Sequence, residues 1–356
     1  MSKHHLLLVL ALAATLLPAA WIPAAEPPPA APRCRALLVG GTPGTPMHAR
    51  HYANWLARFR SLLLDRAAPG AAPDLLLLTP QPEIPGRTGA ATAATLQEAI
   101  ASLAKRTAPQ DQFILILIGH GQPDGALALP GPDLPPAQLA EALKPMPAER
   151  QIILDFTSCS GAAIPALAKP GRILVAANGA SETADSEFAE FLLLTLEGKL
   201  TNTADEQPFA APGRPLTLLT AFNAASHEFA QWIARQRLPK GSDGWLVQGR
   251  RSREIFRRLY GAADVPPAKQ MAPPDPAVEK KDDVLLPLVP ENPPDEAAWA
   301  GRRLPNGHPL LEDTGKSDGA SALGPDGYQP LTGDKDGAVG FLAKQTGFGQ
   351  PAPPAP

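Results

Sequence analysis

Six apolar residues in succession, Phe113-Ile114-Leu115-Ile116-Leu117-Ile118, dominate the chain beyond its first 25 residues. A run of that length, ended by Gly119, reads as a central strand buried on both faces. Such a strand needs parallel neighbours and helices above and below it. The neighbours are legible as shorter apolar runs at Ala36–Val39, Leu75–Thr79, Gln151–Phe156 and Arg172–Ala177. Between them the period changes from strand to helix. His51–Leu64 carries Trp55, Phe59, Leu62 and Leu63 at helical spacing, and Thr92–Lys105 carries Leu96, Ile100 and Leu103. Further helices are predicted at Ala137–Leu143, Ser186–Leu196 and Leu216–Ile233. Strands alternating with helices imply an α/β fold, a three-layer αβα sandwich around a mostly parallel sheet with right-handed crossovers. In such sheets the working groups gather at the carboxyl ends of the strands.

The two ends of the chain have another character. Of the 356 residues 44 are proline, well above the usual share of about 5%. Lys3, His4 and His5 precede an apolar stretch from Leu6 to Leu17, and small residues follow at Ala24 and Ala25. Residues 1–25 therefore read as a secretory signal, too short for a comfortable membrane span; an uncleaved anchor is the alternative. The expected location is the periplasm or the extracellular space, with no stable membrane insertion once the signal is removed. Residues 26–33 form a Pro/Ala tether, 34–260 the folded domain, 261–301 a Pro-rich linker and 302–356 a Gly/Asp/Pro-rich segment. After the core the chain is thus expected to be a largely irregular C-terminal extension. A net charge of −3 without a basic stripe argues against a nucleic-acid partner. Asp313–Gly319 and Asp334–Gly337 have the residues of calcium loops without EF-hand spacing. His48, His51, His227 and His308 follow no zinc pattern, so neither a metal nor a cofactor is expected.

Two strand ends carry reactive side chains. Ile118-Gly119-His120-Gly121 closes the third strand, and Asp155-Phe156-Thr157-Ser158-Cys159-Ser160-Gly161 closes the fourth. If those strands are neighbours, imidazole and thiol share one edge. A thiolate with a nearby imidazole suits acyl transfer. The tetrahedral intermediate needs N–H donors, which Gly121 and Cys159 are placed to offer. Glycine after the histidine lets backbone approach a substrate. Small and polar neighbours suggest that Cys159 lies at an exposed strand end. No third polar group is evident, so a dyad is expected. The only other cysteine, Cys34, starts the first strand, at the opposite edge, and is not expected to pair with Cys159.

The order strand-His-Gly and then strand-small-Cys-small-Gly resembles the caspase-like superfamily of cysteine peptidases, and within it the bacterial exported, legumain-type members. Leu37-Leu38-Val39-Gly40-Gly41 with Arg50-His51, Ala176–Glu182 with Ser186-Glu187-Phe188, Leu216–Trp232 and His308–Asp313 extend the resemblance. It implies a caspase-like fold, His120 as general acid/base, Cys159 as nucleophile and Gly121 as an oxyanion donor. It also aligns Arg50 with a basic residue of the pocket for the side chain before the scissile bond. Legumains carry an acid two residues before the cysteine, where this chain has Thr157; Glu182 or Asp185 are the alternative sources of acidity. The implied activity is that of a thiol endopeptidase acting on a peptide or protein, with the C-terminal segment folding back over the groove. The alternative is a catalytically silent relative that binds peptides in the same groove. An α/β-hydrolase is disfavoured, because no Gly-x-Ser-x-Gly elbow occurs.

Overall fold

A computed structural model describes residues 31–66, 73–183, 185–200, 216–236, 308–316, 319–324, 327–328, 330–333 and 338–349. The expected signal (1–25), most of the tether and the Pro-rich linker lie outside the described residues, as does Asp334–Gly337. The chain divides into two units, Met1–Ala31 and Pro32–Pro356, and every element below belongs to the second.

The first half follows the predicted alternation. Strand β1 is Cys34–Gly40, helix α1 Pro46–Asp65, β2 Asp74–Leu78, α2 Ala93–Ala104 and β3 Gln112–Gly119. Helix α3 is Pro136–Leu143, β4 Arg150–Thr157 and β5 Arg172–Ala176. A 3₁₀ turn, Ser160–Ala163, and a single helical turn α4, Ile164–Leu167, lie between β4 and β5. Helices α5, Phe188–Leu196, and α6, Leu218–Gln236, complete this part. Local chemistry sets the helix starts. Thr45 caps α1 by accepting from His48 N–H, and Thr92 and Thr95 form a capping box on α2.

The sheet has seven strands in the order β2-β1-β3-β4-β5-β6-β7. The first five are parallel. The other two come from the C-terminal segment and are antiparallel: β6, Leu310–Glu312, on β5, and β7, Ala320–Ser321, on β6. A small separate hairpin, β8 Leu323–Gly324 with β9 Gly327–Tyr328, and the turn α7, Phe341–Lys344, follow. Side chains alternate along each strand. Ile114, Ile116 and Ile118 join a core with Trp55, Phe59, Phe191 and Phe229 from α1, α5 and α6. Phe113, Leu115 and Leu117 join a second core with Leu96, Ile100, Leu139 and Ile164 from α2, α3 and α4. Helices therefore cover both faces.

The C-terminal segment is more ordered than the expected irregular extension. Gln112 Nε2 donates to Gly347 O at 2.9 Å, Leu218 N to Thr346 O at 2.8 Å, and Arg66 Nη1 to Phe348 O at 3.1 Å. Asp313, read above as part of a calcium-like loop, accepts Gly340 N–H at 2.8 Å and Ala343 N–H at 2.9 Å, which ties its carboxylate to the start of α7. No helix among the described residues is long and apolar enough to cross a membrane.

Candidate active site

The carboxyl ends of β3 and β4 meet as the strand order requires. Gly119 and Thr157 are register partners, so His120 and Ser158 are the next residues out on adjacent strands, and Cys159 follows. The two ends are laced together. Gly121 N–H donates to Ser158 Oγ at 3.0 Å, and that hydroxyl lies 3.3 Å from both Gly121 O and Asp185 Oδ1. A Cβ at residue 121 would sit 1.9 Å from Ser158 O. Glycine is needed there for the approach of Ser158's backbone, a different reason from the substrate approach expected above.

His120 is held from both sides. Nε2 lies 3.0 Å from Pro43 O and Nδ1 lies 2.9 Å from Asp185 Oδ1. Tyr52 Oη is 3.5 Å from Nδ1. A carbonyl only accepts, so Nε2 carries hydrogen and Nδ1 is the nitrogen that changes state. Pro43 belongs to the loop after β1, and Gly44 beside it has φ +67°, where a Cβ would come within 3.0 Å of His120 Nε2. The same carbonyl binds His48 Nδ1 at 3.1 Å, while His48 Nε2 lies 3.2 Å from Asp185 Oδ2. The two imidazoles meet edge to face, with centroids 4.8 Å apart. Burial pushes the Asp185 carboxyl up, but the hydrogen bond and charge of His120, with His48 and the Ser158 hydroxyl, hold it below the ordinary value. His120 therefore has a carboxylate partner, Asp185, where the sequence made no third polar group evident. Tyr52's phenol is pushed up by burial and by Asp185.

Cys159 is the only non-glycine with positive φ among the described residues, at φ 54° and ψ 19°. The left-handed region costs a residue with a Cβ about 1–2 kcal/mol. Its side chain is fully buried, which corrects the expectation of an exposed strand end. Burial raises its pKa and the Glu182 carboxylate raises it further. The two expected oxyanion donors are engaged: Cys159 N–H donates to Glu182 O at 2.8 Å, and Gly121 N–H to the Ser158 hydroxyl. Glu182 accepts Gly179 N–H at 2.6 Å and His308 N–H at 2.8 Å, and pairs with the His308 ring. The C-terminal segment thus touches the loop that holds Cys159.

Three expected residues remain. Thr157 is buried, and its hydroxyl donates to Asp155 Oδ1 at 2.7 Å. Arg50 is exposed on α1. Cys34 and Cys159 are both free, at the two ends of the sheet: Cys34 pairs in register with Gln112, the first residue of β3. Sequence spacing gave no sign of His48 and Pro43. Their position just after β1, on the same edge, is the signal that would have found them. Among the described residues, His48, His120 and Asp185 form a group that could hold a metal ion, with ligand atoms all within 4.8 Å of one another.

Compared with protein-family models and with curated proteins, the chain matches none.

Proposed function

We propose that this chain is a cysteine endopeptidase of the caspase-like, legumain-type class, held here in a latent arrangement. The observation that carries the reading is Cys159: a strained, left-handed residue two positions beyond β4, on the edge where His120 follows β3. Strain of that kind clusters at sites of chemistry. A histidine whose Nε2 is anchored on a backbone carbonyl, leaving Nδ1 to exchange protons, is a second support.

In the working form Cys159 gives its proton to His120 and attacks the peptide carbonyl carbon. The oxyanion takes hydrogen bonds from Gly121 N–H and Cys159 N–H. His120 then protonates the leaving amine, and water, deprotonated by His120, releases the acyl group from sulfur. Three contacts must open first. Asp185 must leave His120 Nδ1, Glu182 O must release Cys159 N–H, and Ser158 Oγ must release Gly121 N–H. Two of those residues lie in the loop between β5 and α5, so one loop movement frees most of the site. Arg50 remains the candidate for the pocket that reads the residue before the scissile bond, and the substrate is a peptide or protein. The apolar run Leu6–Leu17 supports export to the periplasm or beyond.

A second reading, a silent caspase-like protein that binds peptides, is favoured by the full burial of Cys159 and its raised pKa. Peptidyl acyloxymethyl ketones bearing Asn, Asp, Arg or Lys separate the two. Labelling of the parent that is lost in Cys159→Ala and reduced at least 100-fold in His120→Ala (about the share of a general acid/base) is expected of the peptidase. Folded protein with free thiols that takes no probe supports the binding protein.

A further inference from the structure

We propose that His48, His120 and Asp185 form a binding site for a divalent transition-metal ion of the zinc type, which captures the working nitrogen of His120. Pro43 O accepts and cannot donate, and it lies 3.1 Å from His48 Nδ1 and 3.0 Å from His120 Nε2. Both nitrogens therefore carry hydrogen. In each neutral ring the other nitrogen then presents a lone pair, and both of those nitrogens face one carboxylate. His120 Nδ1 is 2.9 Å from Asp185 Oδ1, and His48 Nε2 is 3.2 Å from Oδ2. Protonated rings meet Asp185 as ion pairs; neutral rings present two lone pairs to a carboxylate, an arrangement that needs a positive charge between them. A metal ion supplies it at a single point.

The donor set suits such an ion. Two imidazole nitrogens and one carboxylate oxygen are ligands that zinc takes in sites with a position left for water. The Pro43 carbonyl does what outer partners do for metal-bound histidines: it takes the hydrogen of each ring's other nitrogen and fixes its tautomer. With bonds of about 2.0–2.1 Å, tetrahedral geometry sets ligand atoms roughly 3.3 Å apart. The three atoms here lie within 4.8 Å of one another, so small side-chain rotations close the site. The His48 and His120 side chains are 15% and 29% exposed, and Asp185 is 26% exposed, which leaves an entry path. Three elements contribute: α1, the residue after β3, and the loop after β5. An ion there would pin that loop against His120.

The test uses the full chain with Co²⁺ alone, read by visible absorption, and Zn²⁺ alone, read by calorimetry. One equivalent of cobalt is expected to give visible ligand-field bands that zinc bleaches. His48→Gln and Asp185→Asn should each weaken zinc binding by at least about 10-fold, whereas Cys159→Ala should keep the bands. Thermal melting checks that each variant folds, and Asp185→Asn carries the test if His48→Gln does not. Folded protein that binds neither ion, or binding unchanged in both variants, overturns the site. The ion site concerns the same edge as the peptidase reading, but no readout here needs turnover. Zinc binding without probe labelling supports the ion site and removes the peptidase, and labelling without zinc binding overturns the ion site alone.

Discussion

Cys34 and Cys159 are the same residue at opposite ends of one sheet, and the fold uses them in opposite ways. Cys34 begins β1 in regular extended structure, beside Arg35. Around it arginine and carboxylates pair: Arg35 reaches Asp74 at 2.9 Å and Asp111 at 3.3 Å, and Asp111 also accepts Arg33 N–H at 2.7 Å. Burial, helped by the Asp111 charge, pushes the Cys34 thiol up to about 12. Cys159 follows β4 in a strained backbone, on the edge where two histidines gather on one carboxylate. The amino edge pairs arginine with carboxylates; the carboxyl edge gathers two imidazoles on one carboxylate. One sheet can do both because parallel strands send all their carboxyl ends the same way. The strands between β3's first and last residues separate the two edges by about 23 Å.

The contrast can be broken experimentally, beginning with the carboxylates. Asp155, near the carboxyl end of β4, is buried with only the Thr157 amide and hydroxyl as donors, at 3.1 and 2.7 Å. Burial raises its pKa to about 6, against the Thr157 hydrogen bonds that lower it. The folded protein therefore holds this proton more tightly than the unfolded chain does. Its contribution is fully present below about pH 4 and is lost as pH rises through about 6. Urea unfolding of Asp155→Asn should show a stability advantage over the parent that grows across that window by on the order of 3 kcal/mol. A difference that stays flat with pH would place the Asp155 charge in a far more polar setting.

Next come the cysteines themselves. At residue 159 glycine should be more stable than alanine by about 1 kcal/mol, because only glycine escapes the left-handed cost. At residue 34 the order should invert, with glycine the weaker by roughly 0.5–1 kcal/mol in a strand. Chemical denaturation of the four variants reads both numbers, and the same order at both sites would remove the strain argument. The smallest effect sharpens the comparison of the thiols. Glu182→Gln removes a negative charge that raises the Cys159 pKa, so alkylation of Cys159 at fixed pH should become faster. The rate at Cys34, followed by peptide mass spectrometry in the same sample, should not change.

Most of the fold was legible because its signals are local. Each of the five parallel strands and five larger helices was readable from runs such as Phe113–Ile118 or the spacing of Leu96, Ile100 and Leu103, and the positions of His120 and Cys159 on strand ends followed. The contacts that hold His120 join residues distant in sequence. Asp185 meets His120 across 65 residues and Pro43 meets it across 77. No periodicity encodes such pairs. Strand β6 has three residues, too few for a period, and it joins the sheet because β5 leaves an edge to cover. Cys159's burial was missed for another reason: small, polar neighbours describe a surface only until a loop closes over it, as Glu182 does here.

The carbonyl of Pro43 has a consequence for how this edge tolerates change. Its contribution is a backbone oxygen, which every amino acid brings. Residue 43 can therefore vary in side chain and still hold both imidazoles, so comparing residue identities there would miss its role. The demand passes to its neighbour: at Gly44, with φ +67°, any added Cβ presses on His120 Nε2 at 3.0 Å. The mutational sensitivity of the histidine pair is thus displaced onto a glycine with no chemistry of its own.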